Sequence, residues 1–127
     1  MTPQYLLDTG VLNAYLRGRA GAVARVDPWV VRGRAATSVL VYGEIVEFLQ
    51  GRADGDKREA ESREVLRVVH PYQLTYPILR RYASPRRTMR PPGGPGIIGD
   101  VDTLIAATAL ARGCTLVTLD GDFRCPE

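Results

Sequence analysis

The sequence predicts an α/β domain in which a parallel sheet is covered by helices. Short apolar runs, too brief for helices, alternate along the chain with stretches whose apolar residues recur at helical spacing, the pattern typical of a parallel sheet. No internal repeat or linker divides the 127 residues, a common size for one domain. Residues 1–127 are therefore expected to form a single domain.

The first half of the chain contains two predicted strands, each followed by a helix. Tyr5–Leu7 is a short buried strand that ends at Asp8, and residues 35–40 are the next apolar, β-branched run. Apolar residues then recur at helical spacing in residues 11–16 and 41–49, which predicts two helices. Gly18 and Gly51 are placed to end them. Between them, Asp27-Pro28 is expected to begin a further helix.

The next segment is predicted to be mainly helical. Residues 57–69 alternate in charge and suit a surface helix, although Val68-Val69 could instead begin a third strand that Pro71 ends. Residues 74–82 are expected to be a helix that Pro85 ends or kinks.

The last third begins with a predicted loop at residues 89–99, which are rich in Pro and Gly. Residues 102–112 give the clearest helix of the chain, closed by Gly113. Residues 115–119 are the last predicted strand, and residues 120–122 a turn. The chain stops soon afterwards, so we expect a short closing strand to be missing.

Composition excludes several classes of site. His70 is the only histidine, which rules out a nuclease built on two imidazoles and any histidine-rich metal site. Cys114 and Cys125 make neither a disulfide framework nor a zinc site. No apolar run approaches the roughly 18 to 20 residues that span a bilayer, and the start lacks a secretory leader. We expect no membrane association and a cytoplasmic location.

Positive charge is concentrated in one stretch, although the net charge is only +3. There is no acidic residue between Val65 and Gly99. The stretch carries six arginines and three tyrosines: Arg67, Arg80, Arg81, Arg86, Arg87, Arg90, Tyr72, Tyr76 and Tyr82. This combination suits a polyphosphate backbone, but a solvated arginine-rich face explains it equally well.

Four acidic residues are expected at the carboxyl ends of the strands, where open parallel sheets bind ligands. Asp8 follows the first strand, and Glu44 lies in the first turns of the helix after the second. Asp102 opens the late helix, and Asp120 follows the last strand. A helix cap or turn explains any one of these acids, but a shared site explains the four together better.

Carboxylates gathered in this way repel one another unless a cation binds or some are protonated. Oxygen ligands without a nearby histidine or cysteine select a hard ion, Mg²⁺ or Mn²⁺. Such an ion binds a phosphate oxygen and lowers the pKa of a bound water. The sequence therefore predicts hydrolysis of phosphodiester bonds.

Four segments resemble the ordered motifs of PIN-domain proteins. They are YLLDTGVL at residues 5–12, SVLVYGE at 38–44, IGDVDTLIAATA at 98–109 and TLVTLD at 115–120. The resemblance covers nearly the whole chain, and its size and motif order are most similar to the VapC toxins. It implies a three-layer α/β/α sandwich with a central parallel sheet, metal-dependent cleavage of RNA, a homodimer, and inhibition by a cognate antitoxin protein.

The chain departs from the family pattern at three places. Gly10 stands where PIN domains usually have Asn or Ser, which would loosen the hydrogen bonding around Asp8. Pro85 and the loop at residues 91–99 interrupt a region that is normally more helical. These departures keep open an alternative, a non-catalytic PIN-like module that binds nucleic acid or a partner. A phosphatase-like hydrolase of small phosphoesters is a third interpretation.

Two pairs of acids compete for a place in the site. Asp100 and Asp102 would point about 200° apart on a helix, so only one faces a metal. We assign Asp102 to the site and Asp100 to the helix cap. Asp120 is preferred to Asp122 because it follows the strand directly.

The glycines of residues 94–99 fit a dinucleotide-binding pattern, but no strand precedes them, so we reject that interpretation.

Overall fold

A five-stranded sheet lies at the centre of the computed structural model, which describes residues 3–89, 100–119 and 121–123. In chain order the elements are β1 (Tyr5–Leu7), α1 (Thr9–Leu16), α2 (Ala20–Val31), β2 (Ala35–Ser38), α3 (Val39–Leu49), α4 (Gly55–Val65), β3 (His70–Tyr72), α5 (Tyr76–Met89), α6 (Asp100–Arg112), β4 (Thr115–Thr118) and β5 (Gly121–Phe123). Of the loop predicted at residues 89–99, Met89 is instead the last residue of α5, and residues 90–99 lie outside the described residues.

The strand order is β3-β2-β1-β4-β5, and the first four strands are parallel. Leu6 pairs with Ala36 of β2 on one side and with Leu116 of β4 on the other. Consecutive strand residues point to opposite faces, and both Leu6 and Leu7 are fully buried. Helices therefore cover the sheet on both faces. The predicted parallel sheet in a three-layer sandwich is confirmed.

The closing strand is a correction to the sequence prediction. Residues 120–122 were expected to be a turn with no closing strand after it, but residues 121–123 form β5, which pairs antiparallel with β4. Its sequence, Gly-Asp-Phe, is too short and too polar to show a strand pattern. Strand β5 forms because the exposed edge of β4 offers it backbone hydrogen bonds.

Prolines lie inside three elements where the sequence predicted a boundary. Pro28 lies inside α2, so the helix begins at Ala20 and not at Asp27. Pro71 is the central residue of β3, where it is tolerated because β3 is an edge strand. Helix α5 continues past Pro85 to Met89.

Asp27, the expected helix cap, has a different role. It accepts a hydrogen bond of 2.5 Å from the hydroxyl of Tyr15 and so joins α2 to α1. Burial, and then the hydrogen bond and charge of Asp27, raise the pKa of Tyr15 to about 12. This contact holds α2 against α1.

Several other boundaries differ by a few residues. Strand β2 ends at Ser38 and not at residue 40, because Ser38 caps α3 by accepting a hydrogen bond from the amide of Leu40. Helix α6 begins at Asp100, which therefore lies in the first turn and is not the cap. The helix ends predicted at Gly18, Gly51 and Gly113 are confirmed, since all three glycines have positive φ.

We predict that the buried hydroxyl of Thr37 stabilises the sheet. It donates a 2.8 Å hydrogen bond to the carbonyl of Leu7, and so joins β2 to the end of β1. In Thr37→Val this buried carbonyl loses its partner, so the free energy of unfolding should fall by about 1–3 kcal/mol, measured by urea denaturation.

Thr108→Val is the matched control. Thr108 is also fully buried and also donates at 2.8 Å, but to Leu104 of its own helix. That carbonyl already accepts the regular helical bond, so this substitution should have little effect. Equal losses in the two variants would contradict the structural role given to Thr37.

Candidate active site

Asp8 lies at the carboxyl end of the central strand. It caps α1, with its Oδ1 accepting a 2.9 Å hydrogen bond from the amide of Val11. Its own amide donates to the carbonyl of Val117 at 3.1 Å, so Asp8 is also attached to β4. The cap interpretation is correct for Asp8. Capping holds the carboxylate at the edge of the sheet, where it remains partly exposed.

Glu44 is brought to the same edge by Thr9. The hydroxyl of Thr9, the residue after Asp8, donates a short hydrogen bond to Oε1 of Glu44. This bond joins the first turn of α1 to α3 across a separation of 35 residues. Two of the four predicted acids therefore lie near each other. Sequence analysis missed Thr9, although a hydroxyl beside a strand-end aspartate was a signal for it.

The third predicted acid, Asp102, lies exposed in the first turn of α6. Helix α6 packs against α3, the helix of Glu44, and against β4. The fourth, Asp120, lies outside the described residues. For Asp100 and Asp122 only the backbone is described, so the choice between each pair of acids remains a prediction.

The chemistry of this edge fits a hard divalent ion. Asp8, Glu44 and Thr9 contribute only oxygen atoms, the donors that Mg²⁺ and Mn²⁺ prefer. His70 and Cys114 stand at the amino ends of β3 and β4, and so at the opposite edge of the parallel strands. Among residues 3–89, 100–119 and 121–123, no three acidic, histidine or cysteine side chains form a ready metal cluster. A complete ligand set would therefore need Asp120 or another acid whose side chain lies outside this description.

A family comparison decides the class of protein. The PIN domain model matches residues 5–125. The chain belongs to the PIN domain family. PIN domains are in general nucleases, and those nucleases typically depend on a divalent metal ion. No curated protein sequence matches the chain.

Solved structures agree with this fold. A chain of VapBC from Salmonella typhimurium, bound to DNA, superposes with a TM-score of 0.77 at 16% identity, covering 92% of this chain and 85% of that one. A chain of VapBC2 from Rickettsia felis, bound to a DNA fragment from the promoter, superposes with a TM-score of 0.76 at 21% identity. The match covers 90% of this chain and 85% of that one. A chain of VapBC-1 from nontypeable Haemophilus influenzae superposes with a TM-score of 0.74 at 21% identity, and the match covers 91% of this chain and 86% of that one. These likenesses establish a VapC-like PIN fold.

None of the helices in the described ranges combines the length and the apolar character that crossing a membrane requires.

We predict that Thr9 orients Glu44 for metal binding. Thr9→Val keeps the shape of the side chain but removes the hydroxyl, so the affinity for Mn²⁺ should fall about ten- to a hundredfold, as when other orienting partners of metal ligands are removed. Thr9→Ser keeps the donor and should bind Mn²⁺ like the wild type. Isothermal titration calorimetry measures both affinities, and thermal melts establish that the variants fold. Unchanged Mn²⁺ binding in Thr9→Val would show that the hydroxyl has only a structural role.

Proposed function

We propose that this protein is a metal-dependent endoribonuclease, the toxin of a toxin–antitoxin pair that acts in the cytoplasm. The observation that carries the proposal is the Thr9 bridge, which holds Glu44 beside Asp8 at the carboxyl edge of a PIN fold. Asp102 and Asp120 are proposed to complete the site. By the same resemblance, we propose that the protein is a homodimer.

The described residues are suited to holding Mg²⁺ or Mn²⁺. The amide of Val11 fixes one carboxylate oxygen of Asp8, and the hydroxyl of Thr9 fixes one of Glu44. An ionised carboxylate has about four lone-pair positions, so a group that accepts a hydrogen bond can also bind a cation. When bound, the ion supplies a Lewis acid and a water of lowered pKa for attack on a phosphodiester.

The basic stretch supports RNA as the substrate. Strand β3 ends at the same sheet edge as β1, and α5 begins four residues later at Tyr76. The ring of Tyr76 is 89% exposed, and it lines a shallow open pocket together with Arg80 and Arg81. Exposed guanidinium groups and an aromatic ring are what binding to single-stranded nucleic acid requires.

The proposed antitoxin partner is expected to bind along α1 and α3, where the structure has a groove. Leu16, Ile45 and Leu49 line it, and α4 closes its far side. The ring of Phe48 is half exposed there, with the guanidinium groups of Arg17 and Arg52 at 5.7 and 5.2 Å from its centroid. The similar folds include a chain of a toxin–antitoxin complex from Klebsiella pneumoniae. We propose that the antitoxin also places an Arg or Lys against the carboxylates, where it competes with Mg²⁺.

The first test is cleavage of a labelled single-stranded RNA. Wild-type protein should cut it with Mg²⁺ or Mn²⁺ and stop when EDTA is added. Asp8→Asn or Asp102→Asn should lower the rate by orders of magnitude, because each removes a metal ligand. Asp100→Asn is the matched control and should have little effect. Full activity in EDTA would refute the mechanism, and loss of activity in Asp100→Asn alone would reverse the assignment of the two acids.

The second test concerns the role of the arginines. Arg80→Gln and Arg81→Gln should weaken RNA binding about equally for all sequences, because phosphate contacts carry no base information. Each lost contact should reduce the slope of log affinity against log salt by about 0.7 for a single strand. Fluorescence anisotropy over a range of salt concentrations measures this slope. A changed sequence preference with an unchanged slope would indicate base contacts instead.

The third test concerns the toxin role. Expression of this chain alone in a bacterial host should arrest growth, because an unrestrained ribonuclease degrades cellular RNA. Asp8→Asn, expressed to the same level, should not. If the wild type is harmless in the host and purifies as a lone, active nuclease, then the toxin proposal fails while the nuclease proposal stands.

A further inference from the structure

Leu119 lies against the first turn of α1, beside Asp8. A Cβ atom built on Gly10 would be 3.0 Å from Cδ1 of Leu119 and 3.3 Å from its Cγ. The same Cβ would be 3.7 Å from Oδ1 of Asp8. The leucine side chain and the carboxylate of Asp8 therefore both flank position 10 of α1. Even so, the side chain of Leu119 remains 69% exposed.

The glycine at position 10 is explained by space and not by backbone conformation. Gly10 is not among the described glycines with positive φ, so its backbone conformation is open to any residue. Glycine is also a poor residue for a helical turn, so the helix itself does not favour it. What a larger residue would disturb here is the side chain of Leu119. The absence of a side chain at Gly10 thus leaves room for the side chain of Leu119 against this turn.

We propose that Leu119 is a substrate-contacting residue, whose exposed side chain packs against a nucleoside next to the scissile phosphate. This inference rests on the proposed ribonuclease function. A single exposed leucine is ordinary on a protein surface, but this one lies against the helix turn that Asp8 caps, at the edge proposed to hold the metal. A phosphate has no apolar surface to offer it, whereas a base and its ribose do. The base adjoining the phosphate is thus the part of RNA that fits Leu119.

The direct test compares steady-state cleavage of a short single-stranded RNA by wild type and Leu119→Ala. Truncation should raise KM about tenfold, the effect of losing part of a buried leucine contact, with a smaller change in kcat. Leu119→Met, which restores apolar volume, should recover most of the loss. Val31→Ala is the control, because Val31 is 85% exposed but lies before β2, at the opposite edge of the sheet. An unchanged KM in Leu119→Ala would overturn the proposal.

A second arm identifies the contacted nucleoside. The same RNA is synthesised with one abasic position at a time on either side of the cleaved bond. At one of these positions, removal of the base should raise KM for the wild type. The same removal should not raise KM any further for Leu119→Ala. If the Leu119→Ala effect is the same at every abasic position, the side chain does not contact a base and the proposal is wrong.

Gly10 offers an independent check of the geometry. Gly10→Ala should raise KM in the wild-type background because the new methyl group displaces Leu119. In the Leu119→Ala background it should have no further effect. Its melting temperature should not fall, since alanine favours the helix. Additive effects of the two substitutions on KM would contradict the proposed contact.

The outcomes separate this inference from the ribonuclease proposal. Normal cleavage with an unchanged KM in Leu119→Ala refutes the role of Leu119 alone. If the wild type binds RNA without cutting it, the nuclease proposal fails, and the dissociation constants of the same variants then decide the role of Leu119. If the wild type neither binds nor cuts RNA, both proposals fail. If Leu119→Ala weakens binding of an antitoxin and leaves KM for RNA unchanged, Leu119 belongs to the protein interface instead.

Discussion

The parallel pairing of β1 on both of its sides determines where every other part of the candidate site lies. Because β1 is paired with both β2 and β4, the carboxyl ends of the three strands meet at one edge. The amide of Asp8 continues that pairing by donating to Val117, and the hydroxyl of Thr37 ties β2 to the last carbonyl of β1. The site is thus attached to the central strand of the sheet.

Each of the two described carboxylates at this edge accepts a hydrogen bond from a neighbouring donor. The carboxylate of Asp8 accepts the amide of Val11 and lies at the positive end of the α1 dipole, while that of Glu44 accepts the hydroxyl of Thr9. In the proposed metal site, a bound cation would neutralise the negative charge of these carboxylates.

How much could be predicted from sequence depended on the range of the interaction. The position of Asp8 and the helices α1 and α3 follow from local periodicity and strand-end chemistry, and these were predicted. Pro71 within β3 and the strand β5 depend on neighbouring strands, so the local pattern misplaced them. The Thr9 bridge and the contact of Leu119 with Gly10 join distant segments, and only the folded chain reveals them.

The most direct test of the account is the melting temperature of wild type and Asp8→Asn, each measured in EDTA and in Mg²⁺. Asparagine caps a helix as well as aspartate does, so the substitution removes charge and keeps the cap. The account predicts that Mg²⁺ raises the melting temperature of the wild type by several degrees but not that of the variant. In EDTA the variant should be at least as stable as the wild type. The account would be contradicted if Mg²⁺ left the melting temperature of the wild type unchanged and the variant melted at a lower temperature than the wild type in EDTA. Asp8 would then be a structural cap and not part of a metal site.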